Sequence, residues 1–197
     1  MSMKSLSESD ICDQFITPAV VQGGWDKATQ IRREVGFTDG RVNVRGKLAS
    51  RGKRKRADYV LFYQANLPLA VIEAKDNAQA VGAGMEQALA YAVTLDVPFV
   101  FSSNGDGFLF HDRTGQSPPV EQALTLAEFP SPATLWAMYR THKGLNDQTE
   151  KVVRYPFYDD GKGREVRYYQ RIAVERVVQA VANGERRMLL VMATGTG

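Results

Sequence analysis

The sequence predicts a mixed α/β domain, in which a β-sheet is flanked by helices, followed by the start of a second domain. Across the first 145 residues, apolar runs of strand length alternate with segments of helical periodicity. A polar and turn-rich stretch then ends this pattern, and a new helix and apolar run begin near residue 165. We therefore predict a first domain over 1–145, a linker over 146–164 and the start of a second domain over 165–197.

The individual elements follow from capping residues, apolar periodicity and turn residues. The opening helix is predicted to be capped by Ser7 or Ser9, to be kinked near its end by Pro18 and to stop at Gly23-Gly24. The basic segment 41–56 is predicted as a loop, because it contains Gly46, Ser50 and Gly52. Strands are predicted over 30–37, 58–63, 69–75, 97–103, 108–112 and 187–192, and further helices over 80–95, 132–140 and 168–181.

Composition narrows the class of protein. With 197 residues, 44% hydrophobic and 24% charged, the chain has an ordinary globular composition and can bury a sizeable core. Its single cysteine, Cys12, excludes an internal disulfide and fits a reducing cytoplasm. No apolar run approaches the roughly 20 residues of a membrane span, and the N-terminus lacks the apolar core of a signal peptide. We expect a cytoplasmic protein that does not bind a membrane.

The two apolar runs between Asp58 and Lys75 carry the most informative charges. Asp58 opens the first run, whereas Glu73 and Lys75 close the second and share a face because side chains alternate along a strand. A two-residue or symmetric four-residue loop around Ala65-Asn66 would place Asp58 opposite Glu73, with Cβ atoms roughly 4.5–5.5 Å apart. A three-residue loop would shift the register by one and separate the two carboxylates.

Two opposed carboxylates are destabilising unless a positive charge lies between them, and Mg²⁺ with a neighbouring lysine would supply that charge. The alternative is that these are solvated residues at strand ends, which are common. Glu73 follows four apolar residues, however, and a strand buried on both faces rarely ends in a carboxylate without a reason. Asp58 and Glu73 are therefore our candidate metal ligands.

Basic residues are concentrated immediately before this pair. The net charge is only +3, yet segment 41–56 holds eight basic residues and no acid. It is either a solvated surface loop or an arm that contacts phosphates, and its position next to Asp58 favours phosphodiester chemistry on nucleic acid. The candidate DNA-binding residues are Arg45, Lys47, Arg51, Lys53, Arg54, Lys55 and Arg56.

The end of the chain fits the first six positions of a phosphate-binding loop, G-x-x-x-x-G-K-[ST], with Met192 at the first position. The lysine and hydroxyl that hold phosphates and Mg²⁺ are absent, so we expect this chain alone to hydrolyse no ATP. We interpret it as a fragment cut inside an ATP-binding loop; the alternative is a Gly/Thr-rich tail after a strand. The candidate nucleotide-binding residues here are Ala193, Thr194, Gly195, Thr196 and Gly197.

These motifs resemble a known family. Asp58 with Glu73-Ala-Lys75 resembles the PD-(D/E)XK nuclease motif, and Gln87 with Tyr91 resembles the Q-x-x-x-Y motif of its RecB-like branch. Their order is similar to the N-terminal nuclease region of the restriction (R) subunit of type I restriction–modification enzymes. Tyr168-Tyr169-Gln170 and residues 193–197 resemble the Q motif and motif I of superfamily 2 translocases. The likeness is weakest at 114–150; further matches are Glu8, Thr17-Pro18, Gly24-Trp25 and Ser103-Asn104-Gly105.

The resemblance implies a restriction-endonuclease-like fold followed by the start of a RecA-like translocase domain. It implies an endonuclease that cuts double-stranded DNA with Mg²⁺ and is coupled to ATP-driven translocation in the full protein. The implied partners are a modification (methyltransferase) subunit and a specificity subunit. Asp58, Glu73 and Lys75 would be catalytic, Gln87 and Tyr91 supporting, and Gln170 would read adenine.

Several alternatives remain open at this stage. A first-helix acid would assist the metal, and Glu8 competes with Asp10 and Asp13 for that role. Lys75 would orient or deprotonate water, or neutralise the phosphate. Gln87 and Tyr91 share a helix face, but Gln87 could be a solvated helix residue and Tyr91 a core residue. Gln170 could likewise be an ordinary residue of the first helical turn. The protein could instead be a repair or recombination nuclease-helicase, or a degenerate DNA-binding module.

Overall fold

A computed structural model describes residues 6–38, 42–45, 48–51, 54–116, 118–156 and 166–192, with the backbone alone given for 42–45 and 48–51. Within these ranges, no helix is both long and apolar enough to cross a membrane. The strands are β1 (Ile31–Thr38), β2 (Val42–Arg45), β3 (Leu48–Arg51), β4 (Arg54–Gln64), β5 (Leu67–Ala74), β6 (Phe99–Ser103), β7 (Phe108–Asp112) and β8 (Glu121–Leu124). The helices are α1 (Glu8–Ile11), α2 (Thr17–Gln22), α3 (Met85–Leu95), α4 (Pro132–Lys143), α5 (Asp147–Val153) and α6 (Tyr168–Ala182), with a π-helical turn (Cys12–Ile16) and a 3₁₀ turn (Leu126–Glu128).

The main sheet has six strands in the order β1-β4-β5-β6-β7-β8. β5 and β6 are parallel, and every other neighbouring pair is antiparallel, which confirms the predicted mixed α/β fold. Every residue of β5 is buried, because the strand lies inside the sheet with helices on both faces. The parallel pair requires a crossover, and α3 supplies it.

Two apolar cores lie against the sheet. The larger contains residues of the first helical segment, α4 and α5 together with Tyr59, Leu61 and Ile72. The second contains α3 residues packed on Val60, Phe62 and Val71. Because neighbouring residues of β4 alternate between the two cores, the cores occupy opposite faces of the sheet. Glu73, at the end of β5, therefore lies between packed layers.

The predicted start and end of the first helical segment are confirmed, whereas its irregular region precedes Pro18. Ser7 is the cap: its hydroxyl accepts from the Asp10 N–H, and the Asp10 carboxylate accepts from the Ser7 N–H. A π-helical turn precedes Pro18, and the Thr17 N–H bonds to the Cys12 carbonyl. Pro18 lies in the first turn of α2, where its missing N–H costs little, and the helix continues to Gln22 before Gly23.

The prediction of a loop over 41–56 is wrong. β2 and β3 form a separate two-stranded antiparallel sheet, and Arg54 already begins β4. The alternation of Val42, Val44 and polar residues is the strand signal that the basic residues hid. Predicted helix 80–95 begins only at Met85, since Gly82 and Gly84 disfavour the preceding turn. Strand β8 and helix α5 were not predicted, because Gly and Pro residues surround β8 and the α5 segment is polar.

The predicted strand over 187–192 is also wrong. Residues 185–192 form neither helix nor strand, and Leu189 is 90% exposed. A buried strand needs neighbouring strands, and none pairs with this segment in the described part of the chain. The proposed domain limits stay a prediction: α5 lies within the predicted linker, and α6 contacts the first domain through Arg171 and Gln179.

Candidate active site

The hairpin that carries the predicted site has the predicted register. Ala65-Asn66 is the two-residue turn between Gln64 and Leu67, and Asn66 adopts a φ of 69°, which asparagine tolerates. At the other end of the hairpin, Tyr59 pairs with Ile72, so Asp58 and Glu73 occupy the next opposed positions. The register shifts by one residue at the Phe62–Pro68 pair, where proline supplies no N–H to the ladder. The original register is restored where Gln64 pairs with Leu67.

Asp58 is half-buried and is fixed by the opposite strand. Its Oδ2 accepts a hydrogen bond of 2.8 Å from the backbone N–H of Ala74, the residue between Glu73 and Lys75. Burial raises the pKa of Asp58, and the negative charge of Glu8 adds to the rise, whereas the Ala74 N–H and Lys75 oppose it. The hydrogen bond therefore fixes the Asp58 carboxylate to the opposite strand through one of its two oxygens.

Glu73 is a buried carboxylate with one oxygen satisfied and the other not. Glu73 is 2% exposed. Its Oε1 accepts hydrogen bonds from Lys75 Nζ, at 3.1 Å, and from Gln87 Nε2. Its Oε2 has no hydrogen-bond partner among the described residues. Burial raises the pKa of Glu73 to about 7, and the nearby charge of Asp58 adds to the effect. An orphaned buried oxygen beside a second carboxylate fits a cation-binding position.

Lys75 supplies the positive charge within the site. Its Nζ lies 3.4 Å from Gln87 Oε1 and 3.6 Å from Glu8 Oε1, in addition to its bond with Glu73. Burial acts to lower the pKa of Lys75, but the hydrogen bond and charge of Glu73, with Glu8 and Asp58, outweigh it and the pKa is raised. The side chain is therefore an ammonium at neutral pH.

Gln87 and Tyr91 face the site from α3. The Gln87 amide donates to Glu73 and also to the Tyr91 hydroxyl, at 2.8 Å. Tyr91 is also a core residue, which agrees with the core interpretation, while its role as a supporting nuclease residue stays a prediction.

The N-terminus of α3 lies close to Glu73, and the sequence analysis did not predict this contact. A Cβ at Gly84 would lie 2.9 Å from Glu73 Cγ, so only glycine fits there. The Ser102 hydroxyl accepts from the Gly84 N–H and donates to the Val81 carbonyl, which holds the helix start. Glycines directly before an apolar helix were the available signal for this approach.

Among the first-helix acids, Glu8 is the one directed at the site. Asp10 belongs to the capping box with Ser7, and Asp13 pairs with Arg33. Asp76, next to Lys75, instead accepts from the backbone N–H of Ala78 and the side chain of Gln79. The geometry therefore separates Glu8 from its two competitors, while its role in metal binding remains a prediction.

Comparisons with known proteins find matching families, a relative of similar sequence and a similar solved structure. The family "type I restriction enzyme R protein N terminus" matches residues 42–118, and the family "type III restriction enzyme, res subunit" matches residues 164–197. The whole chain is 48% identical to 24% of the Escherichia coli type I restriction enzyme EcoAI endonuclease subunit. A fragment structure assigned to the HsdR subunit of a type I restriction enzyme from Vibrio vulnificus YJ016 matches 99% of the chain, with a TM-score of 0.82 and 39% identity.

The chain therefore resembles type I restriction enzyme R proteins over one part of their length. It corresponds to the N-terminal region of those proteins and spans about a quarter of the curated relative and 36% of the solved fragment. The match over 42–118 includes Asp58, Glu73, Lys75, Gln87 and Tyr91, so the side chains that converge here lie within the R-protein N-terminal segment.

Part of the basic segment of this R-protein region borders the site. Lys55 Nζ lies 6.0 Å from the ring centroid of Tyr91, and Arg56 pairs with Glu34 at 3.4 Å. Arg54 is exposed and begins β4. Lys47 and Lys53 lie outside the described residues, as do the side chains of Arg45 and Arg51.

Among the candidate nucleotide-binding residues, the structure describes Gln170 and does not describe 193–197. Gln170 lies in the first turn of α6, where its Oε1 accepts a hydrogen bond from the backbone N–H of Arg167 at 3.0 Å. This is the bond of an ordinary capping box, which fits the alternative interpretation of Gln170. Ala193, Thr194, Gly195, Thr196 and Gly197 lie outside the described residues.

The residues present fit a magnesium ion held by few protein ligands. In the part of the chain that the structure describes, no three His, Cys, Asp or Glu side chains form a metal-binding group. Mg²⁺ keeps several waters and commonly binds one or two carboxylates together with substrate phosphate. Asp58 and the free oxygen of Glu73 provide that type of donor set.

Proposed function

We propose that this chain is the nuclease domain of a type I restriction enzyme R subunit, which cuts double-stranded DNA by Mg²⁺-dependent phosphodiester hydrolysis. The observation that carries the proposal is the convergence of Asp58, Glu73 and Lys75 around an unpartnered, buried carboxylate oxygen. The 48% identity with the EcoAI endonuclease subunit supports it.

The side chains divide the chemistry among them. Asp58 and Glu73 would hold Mg²⁺, which when bound lowers the pKa of a coordinated water and stabilises charge on the reacting phosphate. The raised pKa of Lys75 keeps its ammonium charged, so Lys75 neutralises a phosphate oxygen or orients the attacking water. Gln87 positions Glu73 and Lys75, to both of which it hydrogen-bonds.

The remaining parts of the proposal concern the longer protein. The basic residues at the start of β4 would contact the DNA backbone without reading bases, as phosphate contacts do. Residues 165–197 would open the ATP-driven translocase domain, in line with the res-subunit match over 164–197. The full protein would use ATP, assemble with modification and specificity subunits, and act in the cytoplasm.

The test compares DNA cleavage and ATP hydrolysis in the complete R subunit assembled with its partner subunits. Asp58→Ala, Glu73→Ala and Lys75→Ala should each abolish cleavage and leave ATP hydrolysis intact, because ATP chemistry belongs to a separate site. Asp76→Ala is the matched control, since its carboxylate only caps a turn beside Lys75. Cleavage at the parent rate by the three variants would show that these side chains do not carry the reaction, and would overturn the proposal.

A further inference from the structure

Helix α6 contacts the nuclease side of the molecule through Tyr168. The Tyr168 hydroxyl donates to the Thr38 carbonyl at the end of β1, and its ring lies edge-on to Phe37 with centroids 6.3 Å apart. Phe37 in turn lies edge-on to Tyr91 at 5.1 Å. These three rings form a continuous contact from α6 to the helix that faces the candidate active site.

The contact continues to the proposed metal ligand. The Tyr91 hydroxyl accepts from Gln87, which donates to Glu73 and accepts from Lys75. Phe37 is 4% exposed and Tyr91 is 9% exposed, so the rings lie in a packed interior where removal of a neighbour leaves a void. A displaced Tyr91 would no longer orient the Gln87 amide.

Other residues of α6 hold the opposite end of α3. The buried Arg171 guanidinium donates to the Leu95 carbonyl at 3.0 Å, and Arg176 pairs with Asp96 at 3.1 Å, directly after α3. Helix α6 therefore contacts both the C-terminal end of α3 and the ring packed on Tyr91. Tyr168 also holds Thr38, which pairs with Arg54 at the start of the basic end of β4.

We propose that Tyr168 is a positioning residue of the nuclease site, which acts through Phe37 and Tyr91 to orient Gln87 against Glu73 and Lys75. The inference rests on the proposed nuclease function. It gives α6, the first helix of the predicted translocase segment, a direct structural effect on phosphodiester cleavage.

The experiment measures DNA cleavage per ATP hydrolysed in the complete, assembled R subunit. Tyr168→Ala should lower this ratio by about tenfold, the lower end of the effects seen when residues supporting metal ligands are removed. Gln179→Ala is the matched control: it removes another α6 contact, the 2.6 Å bond to the Tyr139 hydroxyl, and should leave the ratio within about twofold. Tyr168→Leu keeps apolar volume and should give a smaller loss, which keeps the test open if the alanine variant does not assemble.

A double-variant cycle separates positioning from a general loss of structure. If Tyr168 acts through Gln87, Tyr168→Ala should add little to the loss caused by Gln87→Ala, since coupled residues give non-additive effects. The inference would be overturned if the losses in the two single variants multiplied in the double variant. It would also be overturned if both Tyr168 variants kept the parent ratio of cleavage to ATP hydrolysis, or if Gln179→Ala lost as much of that ratio as Tyr168→Ala. Absence of cleavage in the parent assembly would instead overturn the proposed function itself.

Discussion

Strand β5 and segment 185–192 each contain an apolar run, but they differ in structure. The run in β5 leads to Glu73, and the run over 188–192 leads directly into the candidate phosphate-binding loop. β5 pairs with β4 and β6, and its Leu69 is fully buried, whereas segment 185–192 forms no strand and its Leu189 is 90% exposed. The candidate site at the end of β5 is assembled from described residues, whereas segment 185–192 has no strand partner among them.

An apolar run therefore becomes a strand only where neighbouring strands satisfy its backbone. β5 finds its first partner across a two-residue turn and its second through the α3 crossover. Segment 185–192 would need partners that the described residues do not contribute. The following predictions test this contrast, beginning with the largest effect.

The sharpest contrast is between two leucines. Leu69→Ala should lower the free energy of unfolding by about 2–5 kcal/mol, because it opens a cavity in the larger core. Leu189→Ala should change it by less than about 0.5 kcal/mol, since the side chain is exposed. Urea unfolding of the 197-residue chain measures both values. Equal losses in the two variants would show that segment 185–192 is packed, contrary to the contrast drawn here.

The second prediction concerns pH and the buried Glu73. Its pKa is raised in the folded state, so its contribution to stability is complete below the unfolded pKa of 4.5 and is lost as the pH rises through about 7. In metal-free buffer, Glu73→Gln should therefore be more stable than the parent at pH 8 by at most about 3 kcal/mol. The difference should vanish near pH 4.5.

Thermal unfolding across this pH range checks the sign. Glu175 also has a pKa raised to about 7 by burial, but it is present in both proteins and cancels in the comparison. A Glu73→Gln variant that is less stable than the parent at pH 8 would contradict a raised pKa for Glu73, which follows first from burial and then from the charge of Asp58.

The smallest effect is expected in DNA binding. Neutralising Arg54, Lys55 and Arg56 together should weaken binding to all sequences alike, and should reduce the slope of log affinity against log salt by about 2–3. Neutralising Arg186 and Arg187, which are exposed in segment 185–192, is the control and should change the slope less. Fluorescence anisotropy over a salt series measures both. A loss confined to one DNA sequence would indicate base reading.

The hairpin was predictable because its register depends on residues close together in the chain. Asp58, Glu73 and the turn at Ala65-Asn66 lie within one hairpin, so periodicity and turn chemistry were sufficient. The contact of Glu8 with Lys75 and the approach of Gly84 to Glu73 could not be derived in this way, because they depend on how α1 and α3 pack on the sheet. The resemblance supplied Gln87 and Tyr91, whose bonds the structure then displayed.

The same reasoning failed where local signals conflicted with pairing. The basic residues of 41–56 suggested a loop, yet Val42 and Val44 lie in a strand pair. The polar composition around α5 suggested a linker, yet Val153 is buried in the larger core. In the first case backbone pairing, and in the second case burial of one apolar side chain, decided the structure against the local composition.

The central claim is that Asp58 and Glu73 hold a divalent metal, and a metal titration tests it most directly. Mn²⁺ binding to the chain, followed by electron paramagnetic resonance in the presence of a short DNA duplex, should show one site in the parent and in Asp76→Asn. Glu73→Gln should weaken that site at least about tenfold, because it replaces a charged ligand by a neutral one. Binding by Glu73→Gln that matches the parent would contradict the account.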